Sequence, residues 1–139
     1  MEKKEFDFLQ GHSRNYLEMA LRTDRHEVPA KPDGYGKRTG DCGDTVEMFL
    51  IFHYGRISNV SFRMNGCLNT NACANTVAQM AEGKTLEEAW KITPEDVINY
   101  LETLPRESYH CAELSIGAFY LALAEYNRLR RVAPYRWHK

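Results

Sequence analysis

Three cysteines of this 139-residue chain stand where a thiolate would be useful: Cys42 in Gly-Asp-Cys-Gly-Asp, Cys67 in Asn-Gly-Cys and Cys111 in Tyr-His-Cys. Each falls at a boundary between elements, with glycine, a carboxylate or an imidazole beside it. A thiolate is both a nucleophile and a soft metal ligand, so these three with Asp44 and His110 point to a metal or sulfur site. Three thiolates with one oxygen or nitrogen donor suit Zn2+ or an iron–sulfur core, and not Mg2+ or Ca2+. The separations, 24 residues between Cys42 and Cys67 and 43 between Cys67 and Cys111, are far from C-x-x-C spacing. The tertiary fold must therefore build the site.

The composition bounds the context. With 43% hydrophobic and 27% charged residues the chain reads as one globular domain, 1–139, able to bury a core without disulfides. A net charge of -1 gives no reason to expect DNA or another polyanion. No apolar run approaches the roughly 20 residues that span a bilayer, and Met-Glu-Lys-Lys-Glu does not open a signal peptide. The expected setting is a reducing cytoplasm, where cysteines are reactive or metal-bound rather than paired as disulfides.

The elements that position these residues can be read in order. Phe6 to Leu21 is weakly helical and interrupted by Gly11, and Thr23 to Gly40 reads as loop with room for a short edge strand. Val46, Met48, Leu50 and Phe52 alternate within one strand. Ser58, Val60, Phe62 and Met64 alternate within a second, with Tyr54-Gly55 as the turn of a hairpin. Phe49 and Ile51 make the first strand apolar on both faces, as a central strand would be. Matching the faces requires even positions to pair with even ones. A three-residue loop then sets either Phe52 opposite Arg56 or His53 opposite Ile57. Extrapolated, the first register puts Cys42 opposite Gly66 and the second puts it opposite Leu68, beside Cys67 in both, with Asp44 on the same face.

The rest is helical. Asn69 or Thr70 can cap a helix to about Glu82, ended by Gly83. Thr85 to Glu88 is a capping box, and Thr93-Pro94-Glu95-Asp96 opens another helix. Leu104-Pro105 breaks the chain. A final helix carries Ile116, Phe119, Ala122, Tyr126 and Leu129 on one stripe. Strands first and helices after give an α+β domain: a small antiparallel sheet with helices packed on one face. Cys67 and Cys111 then lie at helix N-termini, which favour thiolate. Gly43 and Gly66 would let backbone approach a bound sulfur or metal. Cys73 lies about 600° around the helix from Cys67, which reads as a buried thiol rather than a further ligand. His53 reads as a hairpin residue, His12 and His26 as polar surface, and the asparagines at 65, 69, 71 and 75 as helix caps. Arg128, Arg130, Arg131, Arg136 and Lys139 complement a helix C-terminus.

Gly40-Asp-Cys-Gly-Asp44, Met64-Asn-Gly-Cys67, Ala81-Glu-Gly-Lys-Thr-Leu-Glu-Glu-Ala89, Leu104-Pro105 and His110-Cys111-Ala-Glu-Leu114 resemble the NifU/IscU family of iron–sulfur cluster scaffolds. The likeness runs from about Asp33 to Tyr126 with the motifs in the family's order, and it implies a SufE/NifU-like fold. By that resemblance Cys42, Cys67 and Cys111 hold the cluster and Asp44 tunes its lability. His110 is the neighbouring or alternative fourth ligand, and Cys111 accepts persulfide sulfur from a cysteine desulfurase. The implied role is a scaffold and no conventional enzyme. It builds a transient [2Fe-2S] cluster and passes it to recipient apo-proteins, as a monomer or homodimer. The family commonly has Leu-Pro-Pro-Val-Lys before His-Cys, the element a DnaK-type chaperone grips. Here the segment is Leu104-Pro-Arg-Glu-Ser108, which puts that release route in question. Two rival uses of the same residues are a zinc-binding module and a metal-independent sulfur-transfer protein with Cys111 as nucleophile. Zn2+ in purified material would not separate the zinc module from the scaffold, because thiolate sites scavenge it.

Overall fold

In the computed structural model, which describes residues 11–41 and 43–132, the alternating segment is strand β2, Thr45–His53. It lies at the centre of a three-stranded antiparallel sheet in the order β1-β2-β3, with β1 at Gly34–Thr39 and β3 at Arg56–Asn65. The edge strand left open by the sequence is thus real. Directly paired residues share a face, so rows such as Gly36–Met48–Phe62 and Gly34–Leu50–Val60 cross the sheet toward the helices. Val46, Met48, Leu50, Val60 and Phe62 are fully buried in that row pattern.

The hairpin register departs from expectation at its turn. Tyr54 (φ 52) and Gly55 (φ 77) form a two-residue loop, both with positive φ as a type I′ turn requires, so His53 pairs with Arg56 and Phe52 with Ile57. Ser58 is the extra residue of a β-bulge; its hydroxyl donates to the Ile51 carbonyl (3.1 Å). The bulge turns Ile57 inward in place of Ser58. From Ile51–Asn59 onward the pairing is even with even or odd with odd, on the register that extrapolates Cys42 to Leu68, and it stops at Thr45–Asn65.

Among the described residues five α-helices follow in chain order: α1 (Arg14–Leu21), α2 (Leu68–Ala81), α3 (Leu86–Ala89), α4 (Pro94–Leu101) and α5 (Tyr109–Val132). Both expected capping boxes form, Thr85 with Glu88 and Thr93 with Asp96. The sequence places a first helix from Phe6; residues 1–10 lie outside the described part, and α1 starts behind a Ser13 cap whose hydroxyl accepts from Tyr16 N–H. Helix α2 packs on β3, and α5 packs on β1 and β2. None of the helices among the described residues is long and apolar enough to cross a membrane.

Two contacts set the height of the helices over the sheet. A Cβ on Gly36 would lie 2.2 Å from the Ala118 carbonyl oxygen, and one on Gly34 would lie 2.4 Å from that of Ala122. Glycine at both positions therefore lets β1 run directly against α5. On the other side, Asn71 Nδ2 donates to the Ala20 and Arg22 carbonyls (2.8 and 2.9 Å), and Asn75 Nδ2 to those of Met19 and Arg22 (2.8 and 2.9 Å). These two asparagines do not cap their own helix. They satisfy the unpaired carbonyls at the end of α1 and bolt it to α2.

Candidate metal centre

The carboxyl end of β1 and the start of β2 turn back on each other between Gly40 and Asp44. Gly40 N–H donates to the Asp44 carbonyl (2.8 Å), Gly43 N–H donates to the Gly40 carbonyl (3.0 Å), and Gly43 adopts φ +91. That backbone conformation favours glycine. Cys42 lies outside the described residues. Asp44, expected on the strand, sits half-buried one residue ahead of it.

Cys67 is the N-cap residue of helix α2; its backbone is extended (φ -104) and its thiol makes no capping hydrogen bond. The expected caps, Asn69 and Thr70, are instead inside the helix and have tertiary partners. Asn69 Oδ1 accepts from Tyr16 Oη (2.5 Å), and Asn69 Nδ2 donates to Ser108 Oγ (2.9 Å). Helix α5 begins at Tyr109 straight from a 3-10 turn, Arg106–Ser108, so Cys111 lies in its first turn. Both thiols therefore stand at the positive end of a helix. Cys67 is exposed and Cys111 is buried.

The carboxylate of Asp44, the exposed imidazole of His110 and the thiol of Cys111 converge, each offering a ligand atom within 4.8 Å of the others. His110 Nε2 is 3.7 Å from Cys111 Sγ. Metal–ligand bonds of about 2.0 Å to nitrogen or oxygen and about 2.3 Å to sulfur mean that small side-chain adjustments bring three such atoms onto one ion. Cys67 joins through an intermediary. Its Sγ lies 3.9 Å from Thr70 Oγ1, which lies 3.6 Å from Cys111 Sγ and donates to Asp44 Oδ2 at 3.2 Å. In the sequence Thr70 reads only as a candidate helix cap. The available signal was its spacing: three positions after Cys67, it shares that residue's side of the helix.

Other expected residues fall elsewhere. At Gly66 the place of a Cβ is taken by the Thr70 side chain: a Cβ there would meet Thr70 Oγ1 at 2.6 Å. Cys73 is buried on the core side, and burial foremost, with Cys111 and Cys67 nearby, pushes its thiol well above the usual range. Iodoacetamide at neutral pH should modify Cys67 in the folded protein and Cys73 only once denaturant is added, as read by peptide mass mapping; early labelling of Cys73 would contradict its burial. His53 is a strand-end residue, as expected. His12 and His26 are not bare polar surface: His12 stacks on Tyr16 (4.0 Å) and His26 Nε2 lies 2.6 Å from Asn71 Oδ1. Burial foremost raises the Tyr16 phenol, with the three thiols Cys67, Cys73 and Cys111 adding to it, so it stays a donor to Asn69. Ser108 is buried under that bond, facing Asn69. Of the tail, Arg130 lies over the Tyr126 ring (5.6 Å) and donates to Asn127, whereas Arg136 and Lys139 lie outside the described residues.

Taken together, these features define a small α+β domain presenting carboxylate, imidazole and thiols at one end of its sheet, between two helix N-termini. Residues 29–133 match the NifU-like N-terminal domain family, and the chain belongs to that family. Among its relatives is the iron–sulfur cluster assembly scaffold protein IscU 1 of Archaeoglobus fulgidus, 36% identical over 87 residues, covering 63% of this chain and 57% of that protein. The Escherichia coli scaffold protein IscU is 32% identical over 90 residues, covering 64% of this chain and 70% of that protein. In fold, the chain is similar to a NifU-like protein (N-terminal) from Brucella abortus: TM-score 0.69 at 17% identity over 88% of this chain and 97% of the other. The FiSufU protein of Fervidobacterium islandicum AW-1 also gives 0.69, at 20% identity over 82% of this chain and 97% of the other.

Proposed function

We propose that this chain, acting as one domain, is an iron–sulfur cluster assembly scaffold that holds a transient [2Fe-2S] cluster on Cys42, Cys67 and Cys111, with Asp44 and His110 competing for the remaining position. The observation that carries the reading is the convergence of Asp44, His110 and Cys111 within 4.8 Å, in a chain of the NifU-like family. Here the cluster is cargo. Soft thiolates bind it, and a hard carboxylate oxygen is the weakest partner for iron in this set. An exposed imidazole beside a half-buried carboxylate leaves one side of the cargo open to a recipient.

We read Cys111 as the acceptor of sulfur from a cysteine desulfurase; its thiol is buried and must be uncovered for the transfer. The Cys111 thiolate would attack the outer sulfur of the donor's persulfide, the donor's S–S bond would break, and the donor would leave as a thiolate. Recipient apo-proteins would then draw the finished cluster off by ligand exchange, in a reducing compartment such as the cytoplasm. The segment Leu104-Pro-Arg-Glu-Ser108 departs from the one a DnaK-type chaperone grips in the family, so we route no release step through such a chaperone. The scaffold is a carrier: its own chemistry ends at accepting sulfur.

A second reading has its own observation. One carboxylate, one imidazole and one thiol are an ordinary Zn2+ ligand set. Anaerobic reconstitution with ferric iron and sulfide tests the first reading. Visible absorbance with equal iron and acid-labile sulfide supports it, and a protein that takes up Zn2+ but never iron with sulfide would leave the zinc module standing.

A further inference from the structure

The Thr70 hydroxyl is fully buried and has an unusual choice of partners. A threonine inside a helix commonly bonds back to the carbonyl four residues earlier. Thr76, in the same helix, does so: its hydroxyl donates to the Ala72 carbonyl (2.7 Å). Thr70 instead touches Asp44 Oδ2, Cys111 Sγ and Cys67 Sγ, atoms from three different elements. A hydroxyl has one proton and two lone pairs. Giving the proton to the carboxylate leaves both lone pairs to accept from the two thiols while these carry their protons, so in the metal-free protein one side chain can serve all three. Gly66 makes room for this pose, since a Cβ there would stand 3.0 Å from Thr70 Cβ and 3.1 Å from Cγ2.

We propose that Thr70 is the positioning residue of the metal group: its hydroxyl fixes the Asp44 carboxylate through Oδ2, leaves Oδ1 for the ion, and gathers the Cys67 and Cys111 thiols beside it before an ion displaces their protons. The proposal rests on reading Asp44, Cys67 and Cys111 as ligands. Asp44 needs such a tether because it comes from a loop end, whereas both sulfurs come from helix starts. Outer partners that orient a ligand typically change metal affinity by roughly 10–100-fold when removed.

Anaerobic titration of the reduced full chain with Co2+ tests this, because thiolate-to-cobalt charge transfer reports the sulfurs and the ligand-field bands report the whole coordination sphere. Thr70→Val keeps the shape and loses the hydroxyl; it should bind about tenfold more weakly, with shifted ligand-field maxima. Thr70→Ser should stay within about twofold of the parent chain and restore the spectrum, since it keeps the hydroxyl that orients the ligand. Thr70→Ser against Thr70→Ala repeats the comparison with only the hydroxyl changed. If Thr70→Val or Thr70→Ala matches the parent in affinity and spectrum, or Thr70→Ser is as weak as Thr70→Ala, the positioning role is wrong and the ligand reading survives. If the parent chain shows no thiolate charge-transfer band at all, the ligand reading falls and takes the Thr70 proposal with it.

Discussion

A Cys111→Ser chain should lose the visible absorbance of a reconstituted cluster and bind Co2+ about 100-fold more weakly or worse, at least the cost of losing an outer partner alone. The size of the effect follows from where Cys111 sits. Its sulfur is the thiol member of the compact group with Asp44 and His110, so its removal leaves that group with no sulfur donor. The serine oxygen is a harder and far less acidic donor, so it does not replace a thiolate on iron or zinc. The serine hydroxyl is nearly the same shape and has Thr70 Oγ1 and His110 Nε2 beside it as partners, so the melting temperature should change little. Atomic absorption and visible spectra on the folded variant check the result; parental iron and sulfide content would remove Cys111 from the ligand set.

Replacing Gly36 should cost more in stability than any other single change at the site's frame. An added Cβ would lie 2.2 Å from the Ala118 carbonyl oxygen and 2.5 Å from the Ala122 nitrogen, both backbone atoms of α5. Neither can step aside, so β1 and α5 must separate. Overpacking of this kind costs up to about 3 kcal/mol, or more where backbone has to shift. For a domain of this size that corresponds to roughly 10 °C in melting temperature. Gly83→Ala is the control: its Cβ would meet open space and only the left-handed φ of +89 is penalised, about 1 kcal/mol. The separation has a second consequence. Gly40 to Asp44 continues from β1, and His110 and Cys111 open α5, so Gly36→Ala should weaken Co2+ binding while leaving every ligand in the chain. Thermal melts and metal titration on Gly36→Ala and Gly83→Ala distinguish this from a generic glycine effect, since Gly83 is remote from that seam.

The parts of the fold that could be read from the chain were those decided locally. The run Val46, Met48, Leu50, Phe52 shows a two-residue period because each of those side chains meets the helices, and it marks β2 unambiguously. Thr85 with Glu88 and Thr93 with Asp96 close their capping boxes within four residues, so no distant partner can override them. Strand β1 was harder because Gly34 and Gly36, its inward residues, have no side chain to supply a pattern; they are glycine because α5 is so close. The same reason hid the caps. Asn69, Asn71, Thr70 and Asn75 have the residue types of helix caps, but their partners lie on α1, on Asp44 and on Ser108. The bulge at Ser58 is likewise invisible in an alternation count, since two-residue turn geometry and inward packing of Ile57 together create it.

For the site, chemistry was legible and connectivity was not. Residue types alone singled out Asp44, His110 and Cys111 as candidates, and these three come together. The expected route, an extension of the β2–β3 pairing, stops at Thr45 and Asn65. The Asp44 end of the site is instead delivered by the β1–β2 turn and held by Thr70, a contact across 26 residues that no local pattern encodes.

Cluster transfer is the measurement that bears most directly on the scaffold reading. The full chain, reconstituted anaerobically with ferric iron and sulfide, is mixed with an apo-ferredoxin and followed by visible circular dichroism. The expected result is loss of the donor spectrum and growth of the ferredoxin's [2Fe-2S] spectrum, faster than from free iron and sulfide at the same concentration. A chain that binds Zn2+ tightly but forms no cluster, or forms one that the apo-ferredoxin never acquires, would contradict it.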